Sequence, residues 1–170
     1  MPSLLVIDDD KCIRDAFELA LEDTPFTVKT IDNGRSGIEA CQAECFNLIF
    51  LDLKMPGLDG VETLREIRRF NQTVPVYIIT GFHKEFFVKL EQLVDDDIEF
   101  ELLQKPIDQK QILKIIETIL GGVSESPVQP VTTSTSEIKL YIVGMSKGLE
   151  VANAVSDTLT GCLKTPYHLE

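Results

Sequence analysis

Residues 51–60 read LDLKMPGLDG, an apolar run that ends on a carboxylate, Asp52, and soon breaks into a Met-Pro-Gly turn. Proline offers no ladder N–H and glycine accepts turn geometry, so a strand predicted over 47–53 stops there and displays Asp52 at its end. Gly60 then opens a predicted helix over 60–70.

The same alternation runs outward through the first 122 residues. Short β-type runs are predicted at 4–7, 27–31, 74–80 and 99–104. Helices are expected near 37–45, 83–95 and 108–120. The clearest helix comes after the first strand: Ile13, Ala16, Phe17, Ala20 and Leu21 recur at i, i+3, i+4, i+7 and i+8 and form one apolar stripe. In the last, Ile112, Ile115, Ile116 and Ile119 mark the buried side, with Asp108 placed as N-cap. Five strand–helix pairs in strict alternation specify an α/β fold with a doubly wound parallel sheet.

The chain has 170 residues, 44% of them hydrophobic, and a formal net charge of −12. Such a composition supports a full core, and its acidity disfavours nucleic acid or an anionic membrane as a direct partner. No apolar run approaches the roughly 20 residues that cross a bilayer, and MPSLLVIDDD lacks a basic flank ahead of a long apolar stretch. A cytoplasmic address is expected. Cys12, Cys41, Cys45 and Cys162 show neither C-x-x-C nor a paired metal-ligand spacing, so they read as free thiols. His83 and His168 have no partners at ligand or triad spacing and read as incidental.

In an open parallel sheet, ligands bind beyond the carboxyl ends of the strands, where the winding reverses. Those ends carry Asp8, Asp9 and Asp10 after the first strand and Asp52 after the third. Thr80 with Gly81 ends the fourth, and Lys105 with Pro106 the fifth. Clustered carboxylates repel one another and are commonly kept ionised by a cation, and Mg²⁺ suits one or two carboxylates, water and a phosphoryl oxygen. Asp8, Asp9 and Asp52 with Lys105 leave a charge that one divalent ion cancels, so a phosphoryl group can approach. Asp52 is then a candidate nucleophile, with Lys105 and the Thr80 hydroxyl facing the phosphoryl oxygens. For Asp10 the helix N-terminus, where acids favour the dipole, is the competing reading.

VIDDD after the first strand, LDLKMPGLDG, IITG and LLQKP, in this order and spacing, resemble the receiver domain of two-component response regulators over about residues 3–120. The resemblance implies a flavodoxin-like receiver in which Asp52 is the phosphoacceptor and Asp8, Asp9, Asp52 and the backbone carbonyl of Lys54 hold Mg²⁺. It further implies that Thr80 is a switch hydroxyl, that Lys105 pairs with the phosphate, and that the Lys105–Pro106 bond is cis. Expected partners are a sensor histidine kinase or phosphotransfer protein and a downstream protein, with a homodimer as a further possibility. As a signalling domain it would be no enzyme beyond its own phosphorylation and dephosphorylation.

Departures from the pattern sharpen the reading. Leu102 stands where receivers often carry a switching Tyr or Phe, so signal transfer by that aromatic is in doubt. The stretch between Thr80 and Lys105, with its acidic VDDD, is a few residues longer than usual. It suggests an extended fourth helix or loop, serving an unusual partner or dimer contact or only a tolerated insertion. Lys54, beside the route of attacking water, is expected to slow self-dephosphorylation. Two other function classes compete with the phosphoacceptor switch. A haloacid dehalogenase-type phosphohydrolase needs a second Asp two residues after the nucleophile, where Lys54 stands; an interaction-only pseudo-receiver would not need Asp8, Asp9, Asp52, Thr80 and Lys105 together.

After the receiver, expected over 1–122, residues 123–136 are rich in Ser, Thr and Pro and read as a tether. Residues 137–170 read as a strand, IKLYIVG, and an amphipathic helix through Leu149, Val151, Ala152, Val155, Leu159 and Leu163, too little to bury a core alone. KLYIVGMSKGLEVANAVSDTLTG and the PYHLE near the end of the chain resemble the opening of KaiB-family circadian-clock proteins, implying part of a thioredoxin-like domain with a binding role. No basic recognition helix appears, so the expected output is a protein contact rather than nucleic acid.

Overall fold

The computed structural model describes residues 1–81 and 84–121. The tether at 123–136, the segment at 137–170, Cys162, His83 and His168 lie outside the described residues. Five strands, β1 (Ser3–Ile7), β2 (Thr27–Ile31), β3 (Leu48–Asp52), β4 (Val76–Thr80) and β5 (Glu101–Gln104), alternate with helices α1 (Lys11–Leu21), α2 (Gly34–Ala43), α3 (Gly60–Arg68), α4 (Phe87–Asp95) and α5 (Gln109–Leu120). The sheet is parallel with strand order β2-β1-β3-β4-β5, so the winding reverses between β1 and β3.

Residues of the central strands β1, β3 and β4 alternate between two buried layers, which is why these sequences read as nearly unbroken apolar runs rather than as alternation. Leu5, Ile7, Ile49, Leu51 and Ile78 pack with Val61, Leu64 and Ile67 of α3 and Leu90, Leu93 and Val94 of α4. Leu4, Val6, Leu48, Phe50 and Ile79 meet Phe17 and Leu21 of α1 and Ile112 and Ile116 of α5. Each such fully buried side chain contributes roughly 1.5–3 kcal/mol. Of the predicted α1 stripe, Ala16 is exposed, and Ile115 and Ile119 of α5 are half-buried at the edge of their layer.

Several element ends differ from expectation for local reasons. Helix α2 starts at Gly34 rather than 37, because the Asn33 side chain accepts from the Ser36 N–H and caps it. The segment predicted as helix from 83 instead holds a short 3₁₀ turn, Lys84–Phe86, before α4 begins at Phe87. After α4, Asp97 takes a left-handed φ of 54°, the Ile98 N–H donates to the Leu93 carbonyl at 2.9 Å and the Asp97 N–H to that of Val94 at 3.2 Å. These bonds form a Schellman ending without glycine, and β5 starts at Glu101 rather than 99. The longer acidic segment is therefore a helix end and loop, not extra helix. Asp108 caps α5 as expected, in a reciprocal box with Gln111.

The opening stretch folds as its composition dictates. Gly57 sits at φ 82°, in the left-handed region that a side chain would strain. At Gly60 a Cβ would lie 2.3 Å from the Asp52 carbonyl oxygen, so only glycine lets α3 start against the end of β3. Asp59 caps α3 in a box with Glu62, turning the chain away and leaving Asp52 facing the rim.

Candidate functional site

Register brings the four predicted strand ends together. Ile7 lies opposite Leu51, Asp52 opposite Ile79 and Thr80 opposite Gln104. Asp8, Asp52, Thr80 and Lys105 therefore all stand at the carboxyl edge, beside the β1/β3 reversal. The Lys105 N–H donates to the Thr80 carbonyl at 2.8 Å, extending the ladder one residue, and the Lys105–Pro106 bond is cis.

The carboxylates converge: one oxygen each of Asp8, Asp9 and Asp52 lies within 4.8 Å of the others. Asp8 is fully buried, Asp52 nearly so and Asp9 exposed. Lys105 Nζ bridges two of them, 2.6 Å from Asp52 Oδ1 and 3.0 Å from Asp8 Oδ2. Their second oxygens accept from backbone, Asp52 Oδ2 from the Lys54 N–H at 2.8 Å and Asp8 Oδ1 from the Asp10 N–H at 2.9 Å. Among the described residues no hydrogen bond reaches the Asp9 carboxylate. The Asp10 side chain accepts from the Cys12 N–H at 2.8 Å, so Asp10 is the N-cap of α1.

Burial pushes the Asp52 carboxyl above its ordinary value, and the neighbouring Asp8 adds to this, against the opposing pull of Lys105 and the Lys54 N–H. For Lys105, burial pulls down, yet the hydrogen bonds and charges of Asp52 and Asp8 outweigh it and its pKa is raised. The two directions are compatible: the Lys105 side chain is 28% exposed and Asp52 only 6%, so the carboxylate loses more water. Three converging carboxylates, two of them bridged by the Lys105 ammonium and all offering hard oxygen donors, fit a small divalent cation such as Mg²⁺.

Other contacts were not legible in advance. The Lys54 ammonium stands 3.3 Å from Glu85 Oε1. Lys89 of α4 pairs with the buried Asp59 carboxylate and lies 5.7 Å from the centroid of the Phe86 ring. Both pairs tie the loop after Asp52 to the start of α4. Leu102 packs against the layer beneath α3 and α4 as an aliphatic residue. Arg14 reaches back from α1: its Nη1 donates to the carbonyl oxygens of Asp8 at 2.6 Å and Asp9 at 3.0 Å. One signal could have found it, since a cation in the first turn of a helix opposes the dipole and calls for another use.

Comparison with known proteins agrees with this geometry. The family model for the response regulator receiver domain matches residues 4–117. The transcriptional regulatory protein FixJ of Bradyrhizobium diazoefficiens is 29% identical over 117 residues, 69% of this chain and 56% of that protein. The transcriptional regulatory protein AfsQ1 of Streptomyces coelicolor is 40% identical over 98 residues, 56% of this chain and 43% of that protein. The chain thus spans about half the length of these curated relatives. The crystal structure of the chemotaxis protein CheY4 of Vibrio cholerae shares the fold, with a TM-score of 0.62 at 24% identity over 71% of this chain and 99% of that one.

Proposed function

We propose, from the premise that this chain belongs to the response regulator receiver domain family, that Asp52 is the acceptor of its phosphoryl group. The observation that carries this is the Lys105 ammonium bridging Asp52 and Asp8, with the Asp9 carboxylate beside them. An Asp52 oxygen attacks phosphorus; the new O–P bond forms as the bond to the donor breaks, and the donor leaves with that electron pair. Lys105 faces the charge on the transferred oxygens, and the Thr80 hydroxyl donates to one of them. Asp8, Asp9, Asp52 and the Lys54 carbonyl would hold Mg²⁺, which supplies charge neutralisation at the phosphoryl oxygens.

The donor we propose is a sensor histidine kinase or phosphotransfer protein, and the output a change in protein contacts. The expectation of an output without nucleic acid finds no support in relatives whose names are those of transcriptional regulators. Among the described residues no helix is long and apolar enough to cross a membrane.

Incubation with acetyl phosphate and Mg²⁺ tests the reading. A base-labile, acid-stable phosphate is expected on Asp52 and is lost in Asp52→Asn; an unlabelled parent would leave an interaction module. Once labelled, Lys54→Ala is expected to lose phosphate faster than the parent, and no acceleration would discard the protective role of Lys54.

A further inference from the structure

We propose that Arg14 is a positioning residue that aims the acidic loop, Asp9 above all, at the cation site; this rests on the reading of Asp8, Asp9 and Asp52 as Mg²⁺ ligands. A single guanidinium nitrogen, Nη1, holds the carbonyl oxygens of both Asp8 and Asp9, at 2.6 and 3.0 Å. Each carbonyl belongs to a planar peptide unit, so anchoring two successive ones fixes the planes on both sides of the Asp9 Cα and with them the direction of its side chain.

The two acids differ in how much else restrains them. The Asp8 carboxylate is buried and held from two sides, by Lys105 and by the Asp10 N–H. The Asp9 carboxylate is exposed and receives no hydrogen bond among the described residues, yet it lies within 4.8 Å of the other two. Its approach to the site is thus set by its backbone, and Arg14 grips that backbone. The residue does not serve α1, because a cation near a helix N-terminus opposes the dipole. Nor does its charge help a divalent cation, which it repels.

That opposition of sign makes the idea testable. If Arg14 acted only as a nearby charge, removing it would tighten Mg²⁺ binding. If it positions the loop, removing it weakens binding, and outer-shell partners of metal ligands typically account for 10–100-fold in affinity.

The experiment titrates MgCl₂ into the full chain and tracks backbone amide shifts of Asp8, Asp9 and Asp52 by NMR, for the parent, Arg14→Met and Arg14→Lys. The expected result is an affinity about tenfold weaker in Arg14→Met. Arg14→Lys, which keeps the charge and one donor nitrogen on a shorter arm, falls between the two. At saturating Mg²⁺ the rate of phosphorylation by acetyl phosphate returns to that of the parent, since the acceptor itself is unchanged. Affinity equal to or tighter than the parent's in Arg14→Met overturns the proposal. If that variant does not fold, the same result in Arg14→Lys overturns it. A parent that binds no Mg²⁺ defeats the underlying reading of the ligands instead, an outcome distinct from either variant result.

Discussion

Neutralising the buried Asp52 carboxylate is expected to stabilise the protein in metal-free buffer. The carboxylate oxygens of Asp8, Asp9 and Asp52 lie within 4.8 Å of one another, so at an effective dielectric of 20 each pair repels by at least about 3.5 kcal/mol. The ion pair of Lys105 with Asp52 at 2.6 Å returns about 6 kcal/mol on the same scale. Asp52→Asn removes two of the repulsions, about 7 kcal/mol, together with that one attraction, so the Coulomb terms nearly cancel. Desolvation of the buried Asp52 carboxylate decides the sign, in accord with burial being the leading cause of its raised pKa. The Asn variant is therefore expected to gain on the order of 1 kcal/mol, or about 4 °C in Tm, in EDTA at pH 7, read by circular dichroism melts. The pH dependence has the same origin. With a folded pKa above the unfolded one, the native state holds more protons than the unfolded state between the two values, so the parent loses stability as pH rises through that window. The advantage of Asn is complete above the folded pKa and shrinks as pH falls toward the ordinary carboxyl value of 3.8. A variant equal to or less stable than the parent at pH 7 would show that the Lys105 pair outweighs desolvation and refute the reasoning.

Three further outcomes are expected. Mg²⁺ at ten times its Kd should stabilise the parent by about 1.4 kcal/mol, and Asp9→Asn should lose most of that gain; an undiminished gain would remove Asp9 from the ligand set. Asp97→Gly should stabilise by about 0.5 kcal/mol in urea titrations, because the left-handed φ of 54° costs an L-residue more than glycine's extra unfolded freedom. Destabilisation there would mean that the Asp97 side chain does more than end α4. Burial pushes the Cys41 thiol up to about 11, so at pH 8 only about one molecule in a thousand carries its thiolate. Peptide-resolved alkylation should find Cys41 far slower than the exposed Cys12 and accelerating with pH, and equal rates would contradict its burial.

The fold was legible because the three central strands had to be apolar on both faces and the helices on one. Where the sequence offered a cap with a side chain reaching forward three residues, as at Asp108, the helix start was readable as well. It was misjudged where two caps competed. Asn33 and the glycines after it allow α2 to begin at either Gly34 or Gly37, and only the Asn33–Ser36 hydrogen bond selects the earlier start. The end of α4 was hidden for a related reason. The residue in the left-handed position is aspartate, one of three in a row, so no glycine announced it.

The candidate site divides along the same line. Asp8, Asp52, Thr80 and Lys105 could be named because strand ends meet at one edge of a parallel sheet, and topology alone converts four distant sequence positions into neighbours. Arg14, Glu85 and Lys89 act through helix and loop geometry that no spacing rule encodes. Yet these side chains restrain the parts of the site that the strands leave free: Arg14 the acidic loop, and the pairs Lys54–Glu85 and Asp59–Lys89 the connection from the loop after β3 to α4. Leu102 packs as an aliphatic residue, and among the described residues those two ion pairs join the loop beyond Asp52 to the start of α4 alongside the apolar cluster that holds Met55, Phe86 and Leu90. The Lys54–Glu85 pair is exposed on both sides and so weak, about 1 kcal/mol or less, whereas in the other pair the Asp59 carboxylate is buried. On the proposed reading such weakness would suit a switch, because a phosphoryl group on Asp52, carrying up to two negative charges beside Lys54, would compete with Glu85 on comparable terms.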